Sequence, residues 1–174
     1  MKTYYLQMTS PDGLVAAAPR KGLCLRVIDP PDGAVNERFY KDVGGAWNWT
    51  ACAEWTTRRW DDYLKANPVS TVVLVMDGED IGYGELINRE GDVEILSFGL
   101  LGPSLGKSLG GASLELVMRY AWTLGAVHHV WLHTCEKDHP NALNNYQRRG
   151  FVLYDTKDKP AGKIETGSQL ESRD

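Results

Sequence analysis

Glu94-Ile-Leu-Ser-Phe-Gly-Leu-Leu-Gly-Pro-Ser-Leu-Gly-Lys-Ser-Leu-Gly-Gly-Ala-Ser-Leu-Glu-Leu116 is the stretch in which an apolar run gives way to a Gly-rich turn and then to helical spacing. From Val93 to Leu101 the run is short, apolar and bounded by turn residues, which predicts a buried strand. Leu109, Ala112, Leu116, Val117, Tyr120, Ala121 and Leu124 then recur at three- and four-residue steps, one face of a helix that Gly125 can close. The unit is strand, Gly-rich turn, helix.

Such a turn can expose several backbone N–H groups at the positive end of a helix, and Gly106, Gly110 and Gly111 have no side chains to keep a phosphate away. This is the chemistry of a pyrophosphate cradle. The same glycines also fit a plain tight turn between strand and helix. Neither Gly-x-x-x-x-Gly-Lys-Ser/Thr nor Gly-x-Gly-x-x-Gly occurs, so the two commonest nucleotide loops are not matched.

A second block, Asn141-Ala-Leu-Asn-Asn-Tyr146-Gln-Arg-Arg-Gly150-Phe151, follows a predicted strand from Val127 to Thr134. Taken together, the two blocks resemble the GCN5-related N-acetyltransferase (GNAT) family. The family's acyl-CoA loop reads Gln/Arg-x-x-Gly-x-Gly/Ala after a strand and at the head of a helix. Leu105-Gly106-Lys107-Ser108-Leu109-Gly110 keeps the last Gly but has Leu for the Gln/Arg and Ser for the first Gly. The second block is similar to Asn-x-x-Ala-x-x-x-Tyr-x-x-x-Gly-Phe with the alanine displaced. The resemblance covers residues 93 to 156, about a third of the chain. It implies an α+β fold, a mixed and mostly antiparallel sheet flanked by helices in a single domain. It also implies acetyl-CoA as acyl donor and N-acetyltransferase activity on a primary amine.

Composition sets the frame. A chain of 174 residues suits one domain with its own core, and 43% apolar with 24% charged residues is ordinary for a globular protein. The net charge of −4 recommends neither nucleic acid nor an acidic membrane as partner. Cys24, Cys52 and Cys135 are odd in number and widely spaced, so reduced thiols in a cytoplasmic protein are expected. The first residues contain no long apolar stretch, and no run approaches the roughly 20 residues of a membrane span.

Residues 1–20 read as an arm or a loose extra strand, and Gly22 to Ile28 as a strand ended by Asp29-Pro-Pro-Asp-Gly. Residues 34–66 lack strand alternation and predict two helices, the second around Thr56 to Ala66. Val69 to Met76 and Ile81 to Asn88 are predicted strands joined by the turn Asp77-Gly78-Glu79-Asp80, and Arg89-Glu-Gly-Asp92 turns into the next. A helix marked by Asp138 and Pro140 and a strand from Phe151 to Asp155 complete a domain spanning 1–156, with 157–174 as a polar tail. The family normally ends with another strand, for which the tail offers only Lys163-Ile164-Glu165-Thr166.

Acetyl transfer to an amine requires a neutral amine, a polarised carbonyl and a proton for the departing thiolate. By position in the resemblance, Phe98, Gly99 and Leu100 supply the backbone that binds pantetheine. Leu105, Gly106, Lys107, Ser108, Leu109, Gly110 and Gly111 form the phosphate loop. Tyr146 matches the family's proton donor; packing on the sheet or lining the cofactor site are its other readings. Asn141 either contacts the cofactor or begins a helix. Glu94 aligns with the strand glutamate that serves some members as base, and as a strand residue it shares a face with Leu96 and Phe98. A solvated glutamate at a strand edge is the alternative reading, and Glu85 on the neighbouring strand is a second candidate. His128, His129, His133 and His139 lack a metal-binding pattern, so no metal is expected, and His133 ends a strand near the presumed cofactor.

Trp47, Trp49, Trp55 and Trp60 fall in one early stretch with Tyr40, Tyr63 and Gly44-Gly45. The family builds its acceptor pocket from this region, and an aromatic wall can hold a cationic or ring-bearing amine, with Trp47, Trp49 and Glu85 as acceptor contacts. The same tryptophans also fit a core or the interface of a homodimer. The expected function is acetylation of a small primary amine by its direct attack on the thioester; acetylation of a protein amino terminus or lysine, CoA binding without transfer, and a structural or dimerisation domain that binds no nucleotide are the alternatives.

Overall fold

The computed structural model describes residues 1–159. Seven strands, β1 (Lys2–Met8), β2 (Leu23–Val27), β3 (Val69–Met76), β4 (Glu79–Arg89), β5 (Asp92–Leu100), β6 (His129–Cys135) and β7 (Val152–Asp158), form one sheet in the order β2-β3-β4-β5-β6-β1-β7. Four helices cover it: α1 (Gly33–Gly44), α2 (Thr57–Ala66), α3 (Gly110–Trp122) and α4 (Ala142–Arg148). Every neighbouring pair is antiparallel except β5–β6, which is parallel because α3 carries the chain back across the sheet between them. Among the described residues no helix is long and apolar enough to cross a membrane.

Both faces of the sheet are covered, which explains the unbroken apolar run in β3. Val72 and Leu74 point into a core with Leu114, Val117, Met118 and Ala121 of α3, while Val73 and Val75 pack with Phe39 and Val43 of α1. A third cluster joins Tyr40, Cys52, Trp55, Trp60, Tyr63 and Leu64 to Ile87 and Leu96. The α1–α2 face is tied down by polar groups as well: Asn36 Nδ2 donates to Glu85 Oε2 at 3.1 Å and Thr71 Oγ1 to Asn36 Oδ1 at 2.9 Å, all buried.

Of the two readings of the amino-terminal stretch, an arm or a loose extra strand, the structure gives a strand, but not a loose one. Lys2–Met8 is an interior strand, antiparallel to β6 on one side and β7 on the other. Its burial does not alternate cleanly, and the β1–β7 register shifts between Tyr5 and Leu6, so its local pattern is blurred. β7 also runs to Asp158, past the expected domain limit at 156, whereas Lys163–Thr166 lie outside the described residues. The turn after β3 is shorter than expected, because Glu79 already belongs to β4 and only Asp77 and Gly78 connect the strands, both with positive φ.

Candidate functional site

The sheet opens where its two halves meet. β5 and β6 pair only through Asp92–His129, Val93–Val130 and Glu94–Trp131, after which the strands separate. In the same strand the β4–β5 register shifts: Glu85 pairs with Ser97 and Leu86 with Ile95, leaving Leu96 as the extra residue of a bulge. The bulge interrupts the alternation of faces. Leu96 packs into the Tyr40–Trp60 cluster, whereas Phe98 packs towards Tyr146, their ring centroids 6.4 Å apart. Glu94, Leu96 and Phe98 therefore do not share one face, contrary to the simple two-residue rule.

Beyond the bulge a cleft of about 560 Å³ runs from Phe98, Gly99 and Leu100 to the head of α3. Gly99 is required by packing, since a Cβ there would collide with Val43 Cγ1 of α1. Leu105, Gly106, Ser108, Leu109, Gly110 and Gly111 line the cleft, as do Asn141 and Tyr146; Lys107 does not. The loop is held in shape by positive φ at Gly106 (72°) and Ser108 (56°), so Ser108 occupies the left-handed conformation for which the family pattern uses glycine. Arg20 Nη1 donates to the carbonyls of Lys107 and Ser108 at 2.9 and 3.3 Å, pinning the loop from outside. α3 begins at Gly110 after Leu109, whose side chain cannot cap it, so its first amides face the cleft uncapped. Asn145 Nδ2 donates to Gly110 O at 3.1 Å and sets α4 beside this turn.

A smaller cavity of about 40 Å³ occupies the splay itself, lined by Ser97, Phe98, His133, Thr134, Asp138, Tyr146, Trp47 and Trp49 among others. Five of these residues, Trp47, Trp49, Phe98, Asp138 and Tyr146, also line the large cleft, so the two spaces share a wall. Tyr146 is buried at this junction, and desolvation, with the Asp138 carboxylate adding to it, raises its phenol far above the ordinary value. Asp138 is fixed by Thr134 Oγ1 and the His139 amide, both at 2.8 Å, and Trp47 stands edge-on to His139 with ring centroids 4.8 Å apart. Ser97 Oγ is buried without a hydrogen-bond partner among the described residues.

Glu94 lies at the last β5–β6 pair and lines neither space. It is fully buried, with His133 Nδ1 3.9 Å from Oε1 and Arg89 Nη1 3.8 Å from Oε2. His133 does line the small cavity, so it connects Glu94 to the site. Glu85 lines neither space and instead ties α1 to the sheet through Asn36. The aromatic stretch divides: Trp55 and Trp60 are core, while Trp47 and Trp49 line both spaces. Asp138, Ser97 and Arg149 were not legible as site residues. Asp138 has no sequence partner pointing to Tyr146, and Arg149 stands in a run of solvated-looking charges.

The Acetyltransferase (GNAT) family pattern matches residues 35–151. Among solved structures, a GCN5-related N-acetyltransferase from Kribbella flavida superposes with a TM-score of 0.64 at 18% identity, covering 90% of this chain and 56% of that one. A GCN5-related N-acetyltransferase from Sphaerobacter thermophilus gives 0.66 at 18% identity, covering 89% and 49%. The chain thus spans about half the length of these two structures. No curated protein matches at a significant level. With the family pattern running from α1 to the start of β7, and the splayed sheet and α3 loop lying within it, this chain belongs to the GCN5-related N-acetyltransferase family of acyltransferases.

Proposed function

We propose that the protein transfers an acetyl group from acetyl-CoA to a primary amine of a small molecule by direct attack on the thioester. The observation that carries this reading is the meeting of a long cleft, headed by uncapped α3 amides, with a small polar cavity at the splay, Tyr146 standing in the shared wall. The cleft fits a nucleotide-headed thioester: its loop is free of bulk at Gly106, Gly110 and Gly111, and the buried Arg149 side chain beside it has polar atoms without an acceptor among the described residues. Bound acetyl-CoA supplies the activated acyl group. The amides at the head of α3 and the backbone of Phe98–Leu100 orient it, and Tyr146, standing in the wall shared by the two spaces, is the phenol that gives its proton to the departing sulfur. In this reading His133 takes the proton of the attacking amine on the side of the small cavity and passes it towards Glu94, at the apex of the splay. Trp47, Trp49, Asp138 and Ser97 favour a compact cationic amine.

Thiol release from acetyl-CoA across a panel of amines tests the proposal. Turnover is expected with compact amines, and Glu94→Gln is expected to lower kcat/KM and to change its acidic limb while acetyl-CoA affinity stays near that of the parent. CoA binding without turnover on any amine would overturn the enzyme and leave a binding module. Turnover only with peptide amines would reassign the acceptor.

A further inference from the structure

Arg149 closes α4, and its side chain is turned inward. It is only 8% exposed, and its guanidinium lines the cleft against the first turn of α3, with Nη1 3.5 Å and Cζ 3.7 Å from the point where a Cβ on Gly111 would stand. Nε and Nη1 have no hydrogen-bond acceptor among the described residues. The carboxylate that feels its field, Glu115, is already engaged: Oε2 accepts from the Ala17 amide at 2.8 Å and Oε1 from Arg119 at 2.7 Å. Burial works against the charge on Glu115, but the Ala17 amide, Arg119 and Arg149 together hold its carboxyl below the ordinary value. The Arg149 backbone is fixed as well, its carbonyl accepting from Val15 N at 2.9 Å.

A guanidinium buried with donors unmet is unfavourable unless an anion reaches it, and the nearest feature that attracts an anion is the uncapped head of α3. Resting on the reading of this cleft as the acetyl-CoA site, we propose that Arg149 binds the pyrophosphate of acetyl-CoA together with the first amides of α3. The loop itself brings no such side chain to this point, because Leu105 is apolar and Lys107 lies outside the cleft. Arg149 thus supplies from α4 the charge that the loop lacks, and charge-assisted hydrogen bonds to phosphate are the strong kind.

The test is calorimetric binding of CoA, 3′-dephospho-CoA and pantetheine to the parent, Arg149→Gln and Arg149→Lys, with melting of the ligand-free proteins and of Arg149→Leu. Arg149→Gln is expected to weaken CoA and 3′-dephospho-CoA alike by roughly 10- to 100-fold, to leave pantetheine unchanged, and to be partly rescued in Arg149→Lys. The ligand-free Arg149→Leu protein is expected to melt at or above the parent, since a buried guanidinium with unmet donors has been removed. Unaltered CoA binding in Arg149→Gln would overturn the assignment, as would a loss confined to CoA, which would put the guanidinium on the 3′-phosphate. A lower melting temperature in all three variants would make Arg149 structural. If the parent itself binds no CoA, the reading of the cleft falls first and takes this assignment with it.

Discussion

Tyr146 could be picked out in the sequence through the resemblance of the Asn141–Phe151 block to the family's signature, but its environment could not. The structure surrounds it with Phe98, Phe151 and the Asp138 carboxylate. Tyr146→Phe keeps the ring packing and removes only the transferable proton, so kcat is expected to fall by roughly 10²- to 10⁴-fold, with acetyl-CoA affinity near the parent value. Unchanged steady-state kinetics would reduce Tyr146 to packing. Because the folded phenol titrates well above the unfolded one, the two states differ only above about pH 10, where the unfolded chain has released a proton that the native chain keeps. Stability there falls with rising pH, and the parent should lose about 1.4 kcal/mol per pH unit relative to Tyr146→Phe, as read from alkaline unfolding. Ser108 is a residue-scale cost of a different kind. Its left-handed φ of 56° is one that glycine adopts freely, so Ser108→Gly is expected to stabilise the protein by up to about 1 kcal/mol, or roughly 2–4 °C in Tm. A lower Tm would show that the hydroxyl contributes more than the strain removes.

At the scale of elements, the chain between α1 and α2 serves two purposes that its sequence presents as one. Trp55 and Trp60 sit edge-to-face at 4.9 Å within the core, whereas Trp47 and Trp49 face the two cavities. Trp60→Ala is expected to cost about 3–5 kcal/mol of unfolding free energy, because the side chain is fully buried, and Trp47→Ala is expected mainly to raise the acceptor KM with little change in stability. Denaturant melts and steady-state kinetics on the two variants separate these outcomes, and a large stability loss in Trp47→Ala would return it to the core. The bulge in β5 acts at the same scale. It turns Phe98 away from the face of Leu96 and leaves Glu94 sealed beneath His133 instead of open to the cleft.

For the whole molecule, the amino terminus decides whether the sheet is continuous. β1 is the strand that joins β6 to β7, and Leu6 and Met8 lie in the core that α3 closes. Removing residues 1–8 would leave two strand edges unpaired and that core open, so the truncated chain is expected to lose cooperative thermal unfolding and CoA-dependent stabilisation together. A truncated protein that melts cooperatively near the parent Tm would show β1 to be dispensable. The same end of the chain reaches the Gly-rich loop and α3, where Arg20 holds the carbonyls of Lys107 and Ser108 and the Ala17 amide donates to Glu115.

By itself the sequence determined what is local. The apolar run and Gly-rich turn from Val93 to Gly111, the helical spacing to Leu124 and the Asn141–Phe151 block specified strand, turn and helices. They sufficed for the mixed sheet and the loop, because strand alternation, helix period and turn chemistry act over a few residues. Tertiary structure decided what depends on distant partners. Lys2–Met8 became an interior strand only through pairing with β6 and β7, and Glu85 met Asn36 rather than the cleft. His133 came to stand between Glu94 and the small cavity because β5 and β6 part after Glu94, and Arg149 turned inward because α4 ends beside Gly111. Long-range register and the direction of a side chain at an element's end are set by packing, which no short stretch of sequence contains.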